Sequence, residues 1–217
     1  MTLSNIHKTI NYLLELFDKS KYLLDKPQSK QYRLEHTFRV ASIGKEIALK
    51  ENLDVDATTI GCLLHDISYI YEMKSKEDHL GHGRKSAQIC KEFVMSLDLD
   101  DKLKHELLFG IAIHVDDSAD FEGEKTLLAE TIGEADNIDR FDRYRLYENL
   151  VQSNLDSMSL EEQLEFVFKK ITRLKTLKDY VFKSNTSNQM WNEKIEIQII
   201  YYTGLLSQLQ RGDYKNL

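Results

Sequence analysis

The chain has 217 residues, 41% hydrophobic and 30% charged, with a formal net charge of −7. That length suits one generous domain or a domain with a helical extension, and the negative balance, with no basic stripe, argues against binding nucleic-acid duplexes. One proline and nine glycines leave little of the punctuation that strand-and-turn architectures need, so the expected fold class is all-α. The first residues lack the apolar core of a signal peptide, and no apolar run approaches the roughly 18 residues of a membrane span. Cys62 and Cys90 sit among apolar neighbours and read as buried free thiols of a reducing compartment, so the expected location is the cytoplasm.

Spacings of three and four dominate the chain. Ile6, Ile10, Leu13, Leu14, Phe17 and Leu24 predict a first helix over 4–24. Pro27 and Ser29 mark a break and a restart. From 30 to 51 the inward row is Leu34, His36, Val40, Gly44 and Ile47. A third helix, about 55–66, ends in Leu63-Leu64-His65-Asp66, and the polar stretch 67–81 reads as a loop. Two glycines flank His82 and lead into a helix with Ser86, Ile89, Cys90, Phe93, Val94 and Leu97 inward.

The next helix, 101–114, carries Leu103, Leu107, Ile111 and His114 on one face, and an acidic loop follows over 115–124. Leu128, Ile132, Ala135 and Asp136 share a stripe of the helix over 125–139. Further helices are expected at 142–154, 159–182 and 187–210, with an interhelical turn at 183–189. The expected organisation is a single helical domain over 1–217, with 141–217 as C-terminal helices packed back on the helices before them.

Ionisable groups on apolar stripes are costly to bury unless they are paired or bound to metal. Here five helices each turn one inward: His36, the His65-Asp66 pair, His82, His114 and Asp136. Imidazole and carboxylate donors converging from separate elements suit a divalent ion that activates water. Without thiolate the donor set admits Mn, Fe, Co, Ni, Mg or Zn. His79 competes with His82, and His114 also suits the role of a helix C-terminal cap.

The segments Glu35-His36-Thr37-Phe38-Arg39-Val40, Leu63-Leu64-His65-Asp66-Ile67 and Glu134-Ala135-Asp136-Asn137-Ile138 together resemble the HD superfamily of metal-dependent phosphohydrolases. The resemblance covers about 30–140 and implies that His36, His65, Asp66 and Asp136 hold one metal. It also implies that His82 and His114 are similar to the two extra histidines of members that hold two, with Asp66 as the bridge.

The expected reaction is hydrolysis of a phosphoester or phosphoanhydride in a small anionic substrate of nucleotide type. Cations are needed around the phosphate oxygens. Lys74 and Lys76, in the loop after the His-Asp pair, and Arg140 and Arg143, just past Asp136, are the substrate-binding candidates. Asp66, Lys74 and Arg140 are the catalytic ones. Arg39 reads as a group behind the site or as a helix salt bridge, and Glu72, Glu77, Asp78 and Glu134 as possible proton donors to the leaving oxygen. The alternatives are an HD-type di-iron oxygenase and a non-catalytic nucleotide-sensing module.

Overall fold

In the computed structural model, residues 4–212 are described; 1–3 and 213–217, the two ends of the expected domain, lie outside them. The described residues form ten α-helices, two short 3-10 turns and no strand. None of these helices is long and apolar enough to cross a membrane. The chain divides into two compact units, one ending at Asp139 and the other beginning at Arg140.

The first unit starts with α1 (Asn5–Lys19), whose N-cap Ser4 accepts a hydrogen bond from the His7 amide. It buries Leu13 and Phe17 and ends five residues short of the predicted limit; Leu24, beyond the turn, is 75% exposed. Helix α2 (Pro27–Glu51) begins on its proline, which loses no hydrogen bond at a first helical position. It stops at Asn52, in the left-handed conformation at φ 56°, as asparagine tolerates.

Helix α3 (Val55–Leu64) is capped by Asp54, and every residue from Ala57 to Leu64 is buried. A helix buried all round is the centre of a core. Helices α1 and α2 pack against it, as do α6 (Asp101–Ile113) and α7 (Leu127–Asp139). Gly44 permits the close approach of α2: a Cβ there would lie 2.4 Å from the Cys62 sulfur. The end of α3 therefore delivers His65 and Asp66 into the interior rather than to the surface.

The stretch 67–81 is more ordered than its polarity suggests. A 3-10 turn, Ile67–Ile70, buries Ile67, Ser68 and Ile70. Helix α4 (Lys76–Leu80) starts on a capping box in which Ser75 and Asp78 satisfy each other's amides. Helix α5 (His82–Ser96) packs against α6, and α6 against α7.

The second unit comprises α8 (Arg143–Ser153), α9 (Leu160–Leu177) and α10 (Asn185–Arg211), with both α8 and α9 packed on α10. Helix α9 opens with a Ser159–Glu162 capping box, and Ser184 caps α10. The turn between them is 178–184, earlier than the spacing predicts, because Ser184 is the stronger start signal.

Candidate metal centre

Three histidines reach the site by one local device. His65 follows the last residue of α3, and its Nδ1 lies 2.7 Å from the Cys62 carbonyl oxygen. His114 follows α6, with Nδ1 2.8 Å from the Ile111 carbonyl. His82 follows α4, with Nδ1 2.5 Å from the His79 carbonyl. Each ring takes an orphan carbonyl three residues back at a helix end. A carbonyl can only accept, so Nδ1 carries the proton and the Nε2 lone pair points away. Capping and ligation are thus compatible in His114.

His36 lies mid-helix on α2, and there Asp139 sets the tautomer, 2.7 Å from Nδ1. Arg39, one turn on, donates to the same carboxylate at 2.7 Å from Nε. Such a carboxylate behind a histidine orients the ring and raises its basicity toward a metal.

All four Nε2 atoms converge on Asp66, which is 4% exposed. Its Oδ2 lies 3.6 Å from His36 Nε2 and 3.7 Å from His65 Nε2. Its Oδ1 lies 3.0 Å from His82 Nε2 and 3.7 Å from His114 Nε2. Asp136 Oδ1 joins the first side, 3.2 Å from His36 Nε2 and 3.9 Å from His65 Nε2. The carboxylate of Asp66 therefore faces one pair of imidazoles with each oxygen. Gly83 lets α5 close on the end of α6: a Cβ there would lie 2.6 Å from the Ala112 carbonyl oxygen and 2.9 Å from His114 Nδ1.

Electrostatics follow from this packing. Burial resists charge on His36, but Asp136, Asp139 and Asp66 outweigh it and lift the imidazole to about 9. At His65 burial prevails and pushes the ring down to about 4. Burial alone would raise Asp66 and Asp136. Instead His65, His114 and His82 hold Asp66 well below the usual carboxylate range, and His36 and His65 hold Asp136 at about 2.

These residues fit a divalent cation. The His65 Nε2 is buried with no hydrogen-bond partner, an arrangement that costs about 1–3 kcal/mol when nothing meets the lone pair. The Nε2 atoms of His82 and His114 face each other at 3.1 Å with both Nδ1 atoms committed to carbonyls. Two lone pairs at that distance repel unless a cation or proton meets them. Three overlapping groups, His36-His65-Asp66, His65-His114-Asp136 and Asp66-His82-His114, each bring their donor atoms within 4.8 Å of one another.

The structure brings the six metal-ligand candidates together, and the two lysines chosen from the sequence lie exposed. Lys74 pairs with Glu72 at 3.7 Å, its side chain 76% exposed, and Lys76 is exposed in the first turn of α4. Asp78, a proton-donor candidate, is engaged in the α4 cap. Arg140 and Arg143 belong to the second unit, where Arg143 lies near Asp142 and Glu193. His79 is exposed and contributes its carbonyl rather than its ring.

The cation at the cluster is Arg33, 3.2 Å from Asp66 Oδ2 and stacked over the Tyr69 ring at 3.4 Å. It borders a cavity of about 350 Å³ that also takes in Tyr22, Tyr32 and Tyr69. Tyr32 and Tyr69 lie against the cluster itself, 6.4 Å from the His36 ring and 5.1 Å from the His82 ring. Sequence reasoning missed Arg33 and Asp139. Their signal was spacing, since each sits three residues from a ligand on its own helix.

Comparison with known proteins agrees with this geometry. Residues 33–140 match the family profile of the HD domain. A crystal structure described as a predicted HD superfamily hydrolase from an uncultured Thermotogales bacterium is similar in fold, with a TM-score of 0.64 and 18% identity over 94% of this chain and 93% of that one. No curated protein matches the sequence significantly. The matched segment runs from Arg33 through every residue of the His-Asp cluster, and the chain belongs to the HD superfamily.

Proposed function

We propose that the chain is a two-metal phosphohydrolase that cleaves a phosphoester or phosphoanhydride bond in a small anionic substrate of nucleotide type. One observation carries the reading: the two oxygens of the buried Asp66 carboxylate face two separate imidazole pairs. His36, His65 and Asp136 would hold one ion with Asp66 Oδ2, and His82 and His114 the other with Oδ1. Divalent ions there supply Lewis acidity toward phosphoryl oxygens and a hydroxide nucleophile at neutral pH.

The chain's own residues do the rest. Asp139 and the three helix-end carbonyls fix the imidazole tautomers, so the ligands engage without a change of tautomer, and the Nε2 protons to be displaced are those that the facing carboxylates favour on His36 and His82. Arg33 adds positive charge where a phosphate would enter. The cavity of about 350 Å³ falls in the size range of small-molecule sites, and its tyrosines offer faces on which a planar base can stack. These features favour a nucleotide over a bare phosphate. A cytoplasmic setting is supported by the two buried free thiols, and neither a nucleic-acid duplex nor a membrane is expected as partner.

The test is metal analysis of the purified protein, then phosphate release from nucleoside mono-, di- and triphosphates, dinucleoside polyphosphates and cyclic nucleotides. The reading expects metal-dependent release that the His65→Ala/Asp66→Ala variant abolishes together with metal retention. Full activity in that variant would refute it. Iron with oxygen consumption and no phosphate release would favour the oxygenase alternative.

A further inference from the structure

The second unit holds a cavity of about 160 Å³ lined by Arg140, Phe141, Arg145, Asn149, Lys170, Arg173, Leu174 and Gln198. Four of the eight are cationic, two are amides and none is acidic. In a chain of net charge −7 this concentration is unexpected, since residues 140–217 contain only 12 basic residues against 10 acidic. Helical spacing assembles it: Arg145 and Asn149 lie one turn apart on α8, Lys170, Arg173 and Leu174 share a face of α9, and Gln198 comes from α10.

The scaffold holds these groups in place. Gln198 is buried, and its Nε2 donates to the Phe141 carbonyl at 2.6 Å, fixing the backbone next to Arg140. Arg145 has a carboxylate partner, Glu148 at 2.8 Å. Lys170 and Arg173 have none among the described residues. Burial and the neighbouring Arg173 charge pull the Lys170 ammonium below its usual range. The half-buried Lys170 and the exposed Arg173 repel each other side by side, and an oxyanion relieves that repulsion through charge-assisted hydrogen bonds.

We propose that this cavity is an anion site for inorganic phosphate or diphosphate, built by Lys170 and Arg173 with Arg140, Arg145 and the Asn149 and Gln198 amides. None of its lining residues belongs to the metal cluster, so it goes beyond the phosphohydrolase reading and does not depend on it. Its volume is about half the lower bound for drug-sized ligands, which selects a small ion over a nucleotide.

The test uses the full chain stripped of metal by chelation and dialysed, which removes divalent charge from the cluster; Arg33 and His36 remain cationic there, and the double variant below separates that site from this one. Inorganic phosphate and diphosphate are titrated in by calorimetry at low and high salt. Wild type is expected to bind diphosphate more tightly than phosphate, with affinity falling as salt rises. The Lys170→Gln/Arg173→Gln double variant should bind at least about tenfold more weakly, while Lys175→Gln, on the same helix but outside the lining, should match wild type. Melting curves confirm that each variant is folded. Absence of heat at millimolar diphosphate overturns the proposal. So does undiminished binding in the double variant, which would place the anion elsewhere.

Discussion

Replacing Asp139 by Asn removes one negative charge and changes almost nothing in shape. Its carboxylate is 1% exposed and lies 2.7 Å from both His36 Nδ1 and Arg39 Nε. Together with Asp136 and Asp66 it lifts His36 from 6.5 to about 9, a combined effect of about 3 kcal/mol at 1.36 kcal/mol per pH unit. Losing one of the three carboxylates should remove roughly a third to a half of that, about 1–1.5 kcal/mol, and above pH 9, where no proton competes for Nε2, this is close to tenfold in metal affinity. This meets the lower end of the 10- to 100-fold range found for groups behind metal-bound histidines. Chelator competition on Asp139→Asn should therefore show the ion at His36 held about tenfold more weakly, with the other ion affected less. Melting of the metal-free variant should also fall, because the Arg39 guanidinium loses the negative charge of Asp139. Metal affinity indistinguishable from wild type would refute the assignment of Asp139 as the group that orients His36.

Gly83→Ala should cost the ion at His82 and His114 while sparing the other, because the new methyl would lie 2.6 Å from the Ala112 carbonyl oxygen and must push α5 away; metal stoichiometry reads this directly. His82→Ala should lower metal content and turnover far more than His79→Ala, whose ring is exposed, and equal effects would contradict the register. The metal-free protein should be most stable near pH 6.5 as far as these two histidines decide. The contribution of His36, raised to about 9, is complete below 6.5 and is lost as pH rises through 9. That of His65, lowered to about 4, is complete above 6.5 and is lost as pH falls through 4. Each slope approaches about 1.4 kcal/mol per pH unit, measurable by denaturant titration, and saturating metal should flatten both. Burial pushes the Cys62 thiol up and Cys90 to about 12, so neither should react with a thiol reagent at pH 8 until the chain is unfolded.

The six cluster residues are legible in the sequence because burial leaves a periodic trace. His36 lies on the Val40-Gly44-Ile47 face, and Asp136 follows the Leu128-Ile132 row, so an ionisable group on an apolar stripe stands out. Arg33 and Asp139 leave a weaker trace, each only one turn from a ligand on its own helix, with Asp139 at the very end of the Leu128-Ile132-Asp136 stripe. Each is a common surface residue by type, and its partner is distant in the chain: Arg33 meets Asp66, 33 residues on, and Asp139 meets His36, 103 residues back. Lys74 and Lys76 were selected by proximity in sequence to the His-Asp pair, but Ile67 and Ile70 turn inward and carry the following segment to the surface. Two apolar residues are too few to establish a period, which is why 67–70 reads as loop. The ends of α1 and α9 were overextended for a related reason. Leu24 and Tyr180 continue the apolar count, yet the chain has already turned, leaving them 75% and 54% exposed.

Anomalous diffraction from crystals grown with Mn²⁺ tests most directly whether Asp66 would bridge two ions. Two peaks are expected, one on the Oδ2 side among His36, His65 and Asp136, and one on the Oδ1 side between His82 and His114. A single peak at full metal saturation, or none within reach of Asp66, would contradict the proposed bridge.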